Sequence, residues 1–253
     1  MGYGDELMVA GEAKRRGGAS AKRFAVPDPR GGKWPPMRWS PVWDGNPRMA
    51  APGEPFDEVI DNYPGHRPYI AAKSPTRWTW RAYAPDAAEY FVIGPYEERI
   101  REAARGKVIL NPQIKSLASP NKQWGEERWR SLVRETPHIP WVQVGPAPTL
   151  TGVPLILTRT FREGVAAVAG ARALVTHEGG LHHAAAAVGT PAVVLFGGFI
   201  SPEVTGYTSQ TNLFHATDAH PLGCGMRVRC FHCEKAMAAI SARQVKKLLE
   251  ELL

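Results

Sequence analysis

The sequence predicts an α/β fold with a doubly wound parallel sheet, chiefly from the stretch at residues 172–198. Apolar runs at 173–176 and 192–196 fit buried parallel strands. Between them lie a glycine-containing turn and an alanine-rich helix, which ends at Gly189. Strand, turn, helix and strand in this order form the repeating unit of such a sheet.

The candidate ligand-binding residues of this stretch are at its turn. An acidic residue, two glycines and a histidine lie close together there. Gly179 and Gly180 allow a ligand to approach the backbone closely, and the start of the helix offers free N–H groups that favour a phosphate. Glu178 and His183 flank the glycines. The alternative is an ordinary strand–helix unit that binds no ligand.

The run from Glu178 to Pro191 resembles the nucleotide-sugar motif of glycosyltransferase family 9, the ADP-heptose lipopolysaccharide heptosyltransferases. That motif is Asp-x-Gly-x-x-His, an alanine-rich helix and Gly-Thr-Pro. Gly180 and His183 match its glycine and histidine, while Glu178 replaces its aspartate. The resemblance implies a GT-B-like fold, in which two Rossmann-like domains face each other across a cleft and the N-terminal one is reduced. Residues 1–105 would form the acceptor side and 106–253 the nucleotide-sugar side.

Composition narrows the class of protein. The 253 residues are 43% hydrophobic and 22% charged, as in soluble globular proteins. No apolar run approaches the roughly 20 residues of a membrane span, and the first residues do not resemble a signal peptide. We therefore expect a cytoplasmic protein. The net charge of +7 suits an anionic membrane surface or an acidic substrate, or merely a basic surface. Nucleic-acid binding would depend on this charge alone and is disfavoured.

The first half begins with a glycine-rich loop that leads into a helix at about residues 5–16. Asp5 suits a helix N-terminus as a plain cap. The family resemblance instead places Asp5 at the position of the base that deprotonates the acceptor, although the family's preceding strand has no counterpart here. Further on we predict strands at 22–26, 58–61 and 89–93, and a helix at 95–105. A long loop at 27–55 contains Trp34, Trp39 and Trp43.

The second half continues with strands at 107–110, 141–144 and 154–157, and with helices near 126–133, 160–169 and 241–253. In the family, a lysine in a Lys-x-Trp pair contacts the phosphates of the donor, and Lys122 matches it. Most lone lysines are simply solvated. Arg162, at the start of a helix, is expected to face the donor. Gly197, Gly198 and Thr205 lie after a strand's carboxyl end, where ligands bind in open α/β sheets.

Three cysteines lie close together near the end of the chain. Cys224, Cys230 and Cys233 include a C-x2-C pair, and His220 is the better fourth ligand because His232 lies between two cysteines. Such a set would hold a structural zinc or iron ion. The alternative is three reduced, buried thiols.

Together the resemblance implies an inverting glycosyltransferase that moves a sugar, with heptose as the family's example, from a nucleotide-diphosphate sugar. The acceptor would be a glycan, glycolipid or protein, at the inner face of the membrane. Asp5 would remove the acceptor proton, while Lys122, the helix start and His183 would stabilise the leaving diphosphate, so catalysis needs no cofactor. The alternatives are a non-catalytic sugar-nucleotide-binding protein and, less well supported, an epimerase. Whether Asp5 faces Gly180 across a cleft distinguishes the transferase from the non-catalytic binding protein, and an epimerase would need more catalytic acids and histidines in the cleft.

Overall fold

The computed structural model describes residues 2–28, 37–63, 65–115, 118–215 and 219–253. Trp34 lies outside them. The helices are α1 Tyr3–Gly17, α2 Gly94–Ala103, α3 Glu126–Glu135, α4 Phe161–Gly170, α5 Gly180–Val188, α6 Pro202–Thr205, α7 Phe231–Ala239 and α8 Ala242–Leu252. The strands are β1 Phe24–Ala25, β2 Glu58–Val59, β3 Ile70–Lys73, β4 Trp78–Trp80, β5 Val108–Asn111, β6 Trp141–Gly145, β7 Leu155–Leu157, β8 Ala173–His177, β9 Ala192–Gly197 and β10 Thr211–Phe214.

A six-stranded sheet in the order β10-β9-β8-β5-β6-β7 forms the centre of the second half. Every neighbouring pair is parallel, and Val108 of β5 pairs with Ala173 of β8 on one side and Trp141 of β6 on the other. The strand order therefore reverses between β5 and β8. Ligands of doubly wound sheets bind outside the carboxyl ends of the strands at such a switch point. The predicted α/β class is confirmed.

Helices cover both faces of this sheet, which explains why its strands are continuously apolar. Alternate residues of one strand enter different cores: Ile109 packs on the side of α2, α4 and α5, and Val108 on the side of α3 and α8. On the second side Trp129 and Leu132 of α3 meet Val245 of α8. The helices predicted for residues 126–133, 160–169 and 241–253 are confirmed, each to within a few residues at its ends.

The first half has a different construction. Helix α1 packs on α5, and its Leu7 and Val9 join a third core with Phe24 and Trp43. In the part of the chain that the structure describes, this half contains only a two-residue parallel pair, β1-β2, and an antiparallel hairpin, β3-β4. The Trp43 indole N–H donates to the Glu6 carbonyl at 2.8 Å, and this long-range bond helps to hold the irregular loop on α1. A domain boundary at residue 105 remains a prediction.

One predicted strand is wrong and two strands were not predicted. Residues 89–93 form no strand, because the Glu89 and Phe91 carbonyls accept from the side chains of Asn46 and Arg162 and not from a neighbouring strand. The hairpin β3-β4 escaped prediction since most of its residues are exposed and give no clear alternation. Among the described helices, none is both long and apolar enough to cross a membrane.

Candidate functional site

A cavity of about 280 Å³ lies at the switch point of the sheet. Its amino-terminal wall, defined here as Gly2, Gly4, Asp5, Arg67, Tyr69 and Trp78, comes from α1 and the hairpin region. Its sheet wall, defined here as Lys122, Glu178, Gly179, Gly180, His183 and Thr205, comes from loops and helix α5. Asp5 and Gly180 therefore line one cavity, whose two walls meet where α1 packs on α5.

The loop after β8 is held from both sides by buried histidines. His177 accepts a hydrogen bond from the Trp124 backbone N–H at 3.0 Å, and His182 accepts one from the Gly179 N–H at 2.9 Å through Nδ1. The other ring nitrogen of His182 lies 2.8 Å from the Thr205 carbonyl, to which it donates. These bonds fix the loop against α5 and the segment at Thr205 before any ligand binds.

The two glycines of this loop have different roles. A Cβ on Gly180 would lie 2.7 Å from the Phe161 ring, so Gly180 is required by packing. A Cβ on Gly179 would meet nothing within 4 Å, and its backbone is extended. Gly179 therefore leaves open space above the start of α5, where a ligand can approach the backbone.

An ion pair between Lys122 and Glu178 provides the charges of the sheet wall. The two side chains are 16% and 7% exposed. Burial alone would raise the pKa of Glu178, but Lys122, His182 and the Thr205 hydroxyl more than offset burial and hold that pKa below its ordinary value. The Lys122 ammonium also lies 5.1 Å from the centre of the Phe199 ring. The Lys122 ammonium therefore lies beside the open loop, and Glu178 balances its charge.

His183 is buried on the same wall. Its Nδ1 lies 2.8 Å from the Tyr207 hydroxyl, and its ring contacts α1 so closely that a Cβ on Gly4 would lie 2.5 Å from its Cδ2. Burial first, then His182 and Lys122, hold the pKa of His183 well below its ordinary value. His183 is therefore neutral at pH 7 and can offer a hydrogen bond but no charge.

Asp5 is the carboxylate of the amino-terminal wall. One oxygen accepts the Gly2 N–H at 2.9 Å and lies 3.3 Å from the Arg67 guanidinium, while the other accepts the Tyr69 hydroxyl. Burial and the Asp5 charge raise the pKa of Tyr69 well above its ordinary value, so Tyr69 stays a proton donor in this bond. The N-cap of α1 is Gly2, and Asp5 is the third residue of the helix, from which its side chain accepts the Gly2 N–H; Asp5 also lines the cavity.

Sequence reasoning missed Tyr69 altogether. The aromatic and basic residues at 77–81 are a weak signal for the rest of this wall: Trp78 has the guanidinium of Arg227 4.2 Å from its ring centre, with Arg67 at 5.8 Å and Lys73 at 5.7 Å. Only the fold shows that these cations gather on one indole at the cavity.

Three expected donor contacts lie elsewhere. Arg162 does not line the cavity; it pairs with Glu97 at 2.6 Å and donates to two backbone carbonyls, because a buried carboxylate draws the guanidinium away. A Cβ on Gly197 would lie 2.6 Å from Met237, and one on Gly198 would lie 2.8 Å from Ala236. These two glycines permit α7 to pack on the sheet, and neither lines the cavity. Thr205 does line it.

The cysteines form a compact group. The Sγ atoms of Cys224, Cys230 and Cys233 lie within 4.8 Å of one another, and those of Cys224 and Cys230 are 3.7 Å apart. Zinc–sulfur bonds of about 2.3 Å in a tetrahedron give an edge of about 3.8 Å, so three ligands fit zinc or iron. The structure does not place His220 in this group: its ring nitrogens lie 2.9 and 3.0 Å from Arg77, which turns the imidazole toward the guanidinium.

Comparisons with known proteins give similarity only to solved structures. No protein-family model and no curated protein matches the chain. The chain is similar to E. coli heptosyltransferase WaaC with ADP, at 20% identity over 59% of this chain and 45% of that one, with a TM-score of 0.44. It is also similar to a glycosyltransferase family 9 structure from Veillonella parvula, at 16% identity over 67% and 54%, with a TM-score of 0.49.

A third similar structure is the dodecameric iron-containing heptosyltransferase TibC of E. coli in complex with ADP-D-beta-D-heptose. Its identity is 15% over 70% of this chain and 49% of that one, with a TM-score of 0.47. The chain thus spans about half the length of the solved structures it matches.

Proposed function

We propose that the protein binds a nucleotide-diphosphate sugar in this cavity and transfers the sugar, with inversion, to an acceptor hydroxyl. The observation that supports this most is the presence of Asp5 and the Lys122–Glu178–Gly180 group in the lining of one cavity at the switch point. One wall offers a carboxylate and the other offers a cation and a helix start, which are the groups that such a transfer requires.

The diphosphate would lie on the sheet wall. The open side of Gly179 lets an anion approach the first N–H groups of α5, and the helix dipole favours its charge. Lys122 has three N–H donors, so it can contact a phosphate oxygen while keeping its bond to Glu178. Neutral His183 adds a hydrogen-bonding group and does not add a second charge.

The reaction then follows from the positions of the two walls. Asp5 accepts the proton of the acceptor hydroxyl as that oxygen attacks the anomeric carbon, and the bond from this carbon to the diphosphate oxygen breaks. The electron pair leaves with the diphosphate, whose negative charge Lys122 and the start of α5 stabilise. Attack from the face opposite the leaving group inverts the anomeric centre. Tyr69 and Arg67 hold the Asp5 carboxylate in place.

The protein would also hold a structural metal ion and bind an acceptor at the membrane surface. Cys224, Cys230 and Cys233 would hold a zinc or iron ion that stabilises the C-terminal turn, and no step of the transfer involves it. The acceptor is a glycan, a glycolipid or a protein, and the basic surface would bring the protein to the anionic inner face of the membrane.

A second candidate is a sugar-nucleotide-binding protein without transferase activity. The bonding of Asp5 favours it, because Gly2, Tyr69 and Arg67 all engage this carboxylate, as in a purely structural cap. Both candidates require nucleotide binding, and only the first requires Asp5 for a reaction.

The first experiment is a thermal-shift panel of ADP, UDP, GDP, dTDP and their sugars on wild type, Lys122→Ala and Lys22→Ala. Lys22 pairs with Glu58 far from the cavity and is the matched control. A ligand at 100 times its Kd should stabilise wild type by about 2.7 kcal/mol. We expect Lys122→Ala alone to lose this shift. If no nucleotide stabilises wild type, both candidate functions are wrong.

A further inference from the structure

Asn121 has a buried side-chain amide that forms hydrogen bonds with the backbone of the loop that carries the cysteines. We call residues 224–230 the cysteine turn. The Asn121 side-chain NH₂ donates to the Met226 carbonyl at 2.8 Å and to the Val228 carbonyl at 2.7 Å, and its oxygen accepts the Cys230 N–H at 3.0 Å. Only 3% of Asn121 is exposed. One side chain thus binds three backbone groups of the turn.

These bonds require asparagine. Two carbonyls face the NH₂ group and one N–H faces the oxygen, so the orientation of the amide is unambiguous. Aspartate would lose both donors and place a charge against two carbonyl oxygens, and alanine would leave all three groups without this partner. A buried polar group that loses its partner is costly, so the turn and Asn121 depend on each other.

The next residue along the chain is Lys122, the cation of the sheet wall. Asn121 and Lys122 share the short 3-10 turn Pro120–Lys122, and the Ser119 hydroxyl before it also donates to the Met226 carbonyl, at 2.8 Å. The cysteine turn reaches Lys122 by a second route. The Cys224 N–H bonds the Gly198 carbonyl at 2.8 Å and the Gly225 N–H bonds the Phe199 carbonyl at 2.9 Å, while the Phe199 ring contacts Lys122.

We propose that Asn121 is a positioning residue that couples metal occupancy of the cysteine turn to the placement of Lys122 in the cavity. Zinc held by the three thiolates would keep the carbonyls of Met226 and Val228 where Asn121 binds them. Asn121 would in turn hold the 3-10 turn and direct Lys122 to Glu178 and the donor diphosphate. Loss of zinc would loosen the turn and release Lys122. The part of this inference that concerns the diphosphate rests on the proposed function.

The coupling has a readout that needs no nucleotide. Acylation of lysines by a small amine-reactive ester, followed by mass spectrometry, reports how accessible the Lys122 amine is. We expect removal of zinc with a chelator under reducing conditions to raise the Lys122 labelling rate of wild type about tenfold, within the usual range of coupling between sites. Exposed Lys247 serves as the internal reference.

The variants are Asn121→Ala, the milder Asn121→Ser and Gln143→Ala. Gln143 is an equally buried amide that bonds the backbone of another loop, at Leu150 and Val153, and it does not line the cavity. In both Asn121 variants we expect fast Lys122 labelling that zinc no longer slows, with zinc still bound when measured by atomic absorption. Gln143→Ala should lose stability but keep the dependence on zinc.

Titration calorimetry with ADP completes the test. Zinc removal should weaken ADP binding to wild type about tenfold, or about 1.4 kcal/mol, and change it less than about twofold in Asn121→Ser. The inference is overturned if wild type binds neither zinc nor iron, if the bound metal leaves Lys122 labelling unchanged, or if the Asn121 variants respond to that metal as wild type does. If ADP fails to bind while labelling still depends on zinc and Asn121, the positioning role stands and the donor assignment falls.

Discussion

The two walls of the cavity differ in how the chain builds them. Most of the sheet wall comes from one stretch, in which β8, the Gly179–Gly180 turn and α5 follow one another directly. The amino-terminal wall joins Asp5 to Tyr69, 64 residues later, through a single hydroxyl–carboxylate bond. Local geometry is enough to place the glycines and His183, whereas only the folded chain brings Tyr69 to Asp5.

The walls also differ in charge and protonation. The sheet wall balances the Lys122 cation with Glu178 and adds the neutral His183, which suits reversible binding of an anion. The amino-terminal wall surrounds one carboxylate with donors. Under the proposed function, binding belongs to the sheet wall and proton transfer to the amino-terminal wall. Four substitutions test that division.

Asp5→Asn should abolish most of the sugar transfer without weakening the binding of the donor diphosphate. Removing a general base typically costs a factor of about 10² to 10⁴ in rate. The amide keeps the size of the carboxylate: its oxygen can still accept from the Gly2 N–H and its NH₂ can donate to the Tyr69 hydroxyl oxygen, so the fold should persist. The measurement is single-turnover transfer alongside the Kd of the donor diphosphate. A loss of diphosphate affinity equal to the loss of rate would contradict the division between the walls.

Arg162→Met should destabilise the fold and leave both walls functional. It leaves the buried Glu97 without its ion-pair partner, and breaking such a pair costs about 3–5 kcal/mol. Urea denaturation measures this loss. The Arg162→Met, Glu97→Met double variant should recover part of it, since the uncompensated charge is gone. If Arg162→Met instead weakens nucleotide binding at unchanged stability, the arginine contacts the donor after all.

His177→Gln should make the free energy of unfolding less dependent on acid pH. Burial and then Lys122 lower the pKa of His177 from 6.5 to about 3. A lowered pKa means that the unfolded chain binds the proton first. The contribution of His177 to the free energy of unfolding is therefore fully present above about pH 6.5. It falls by about 1.4 kcal/mol per pH unit as the pH drops toward 3.

The corresponding measurement compares the free energy of unfolding at pH 7 and pH 5. The fall for His177→Gln should be smaller than that for wild type by about 2 kcal/mol. His182 and His183 keep part of the slope, because their pKa values are lowered as well. Gln143→Ala, which changes another buried side chain and keeps His177, is the control, and its stability should fall with pH as that of wild type does. Equal falls for wild type and His177→Gln would show that His177 is not the group responsible.

Gly4→Ala tests the place where the walls meet. The new Cβ would lie 2.5 Å from the His183 ring, so α1 and α5 must separate slightly. Overpacking of this kind costs about 1–3 kcal/mol. Gly164→Ala, whose Cβ would make only an ordinary 3.5 Å contact, is the matched helical control and should be neutral or stabilising. Equal melting temperatures for Gly4→Ala and wild type would mean that the two helices are not tightly packed there.

Local sequence pattern is enough to predict the sheet of the second half and the loop that faces the cavity. Buried parallel strands are continuously apolar and their helices have one apolar side, so β8, β9 and α5 can be read from local pattern. The resemblance to the family motif pointed to Lys122 and Asp5, and the structure places both in the lining of the cavity.

Long-range packing decides which residues reach the site. In the sequence, Arg162 and Gly198 look suited to ligand binding. In the fold, Arg162 pairs with Glu97 and Gly198 packs against α7. Tyr69 and Asn121 give no local signal, because their partners lie 64 and more than 100 residues away. A hydrogen bond or ion pair between distant segments leaves no periodic pattern in the chain, and its partners are chosen only when folding brings them together.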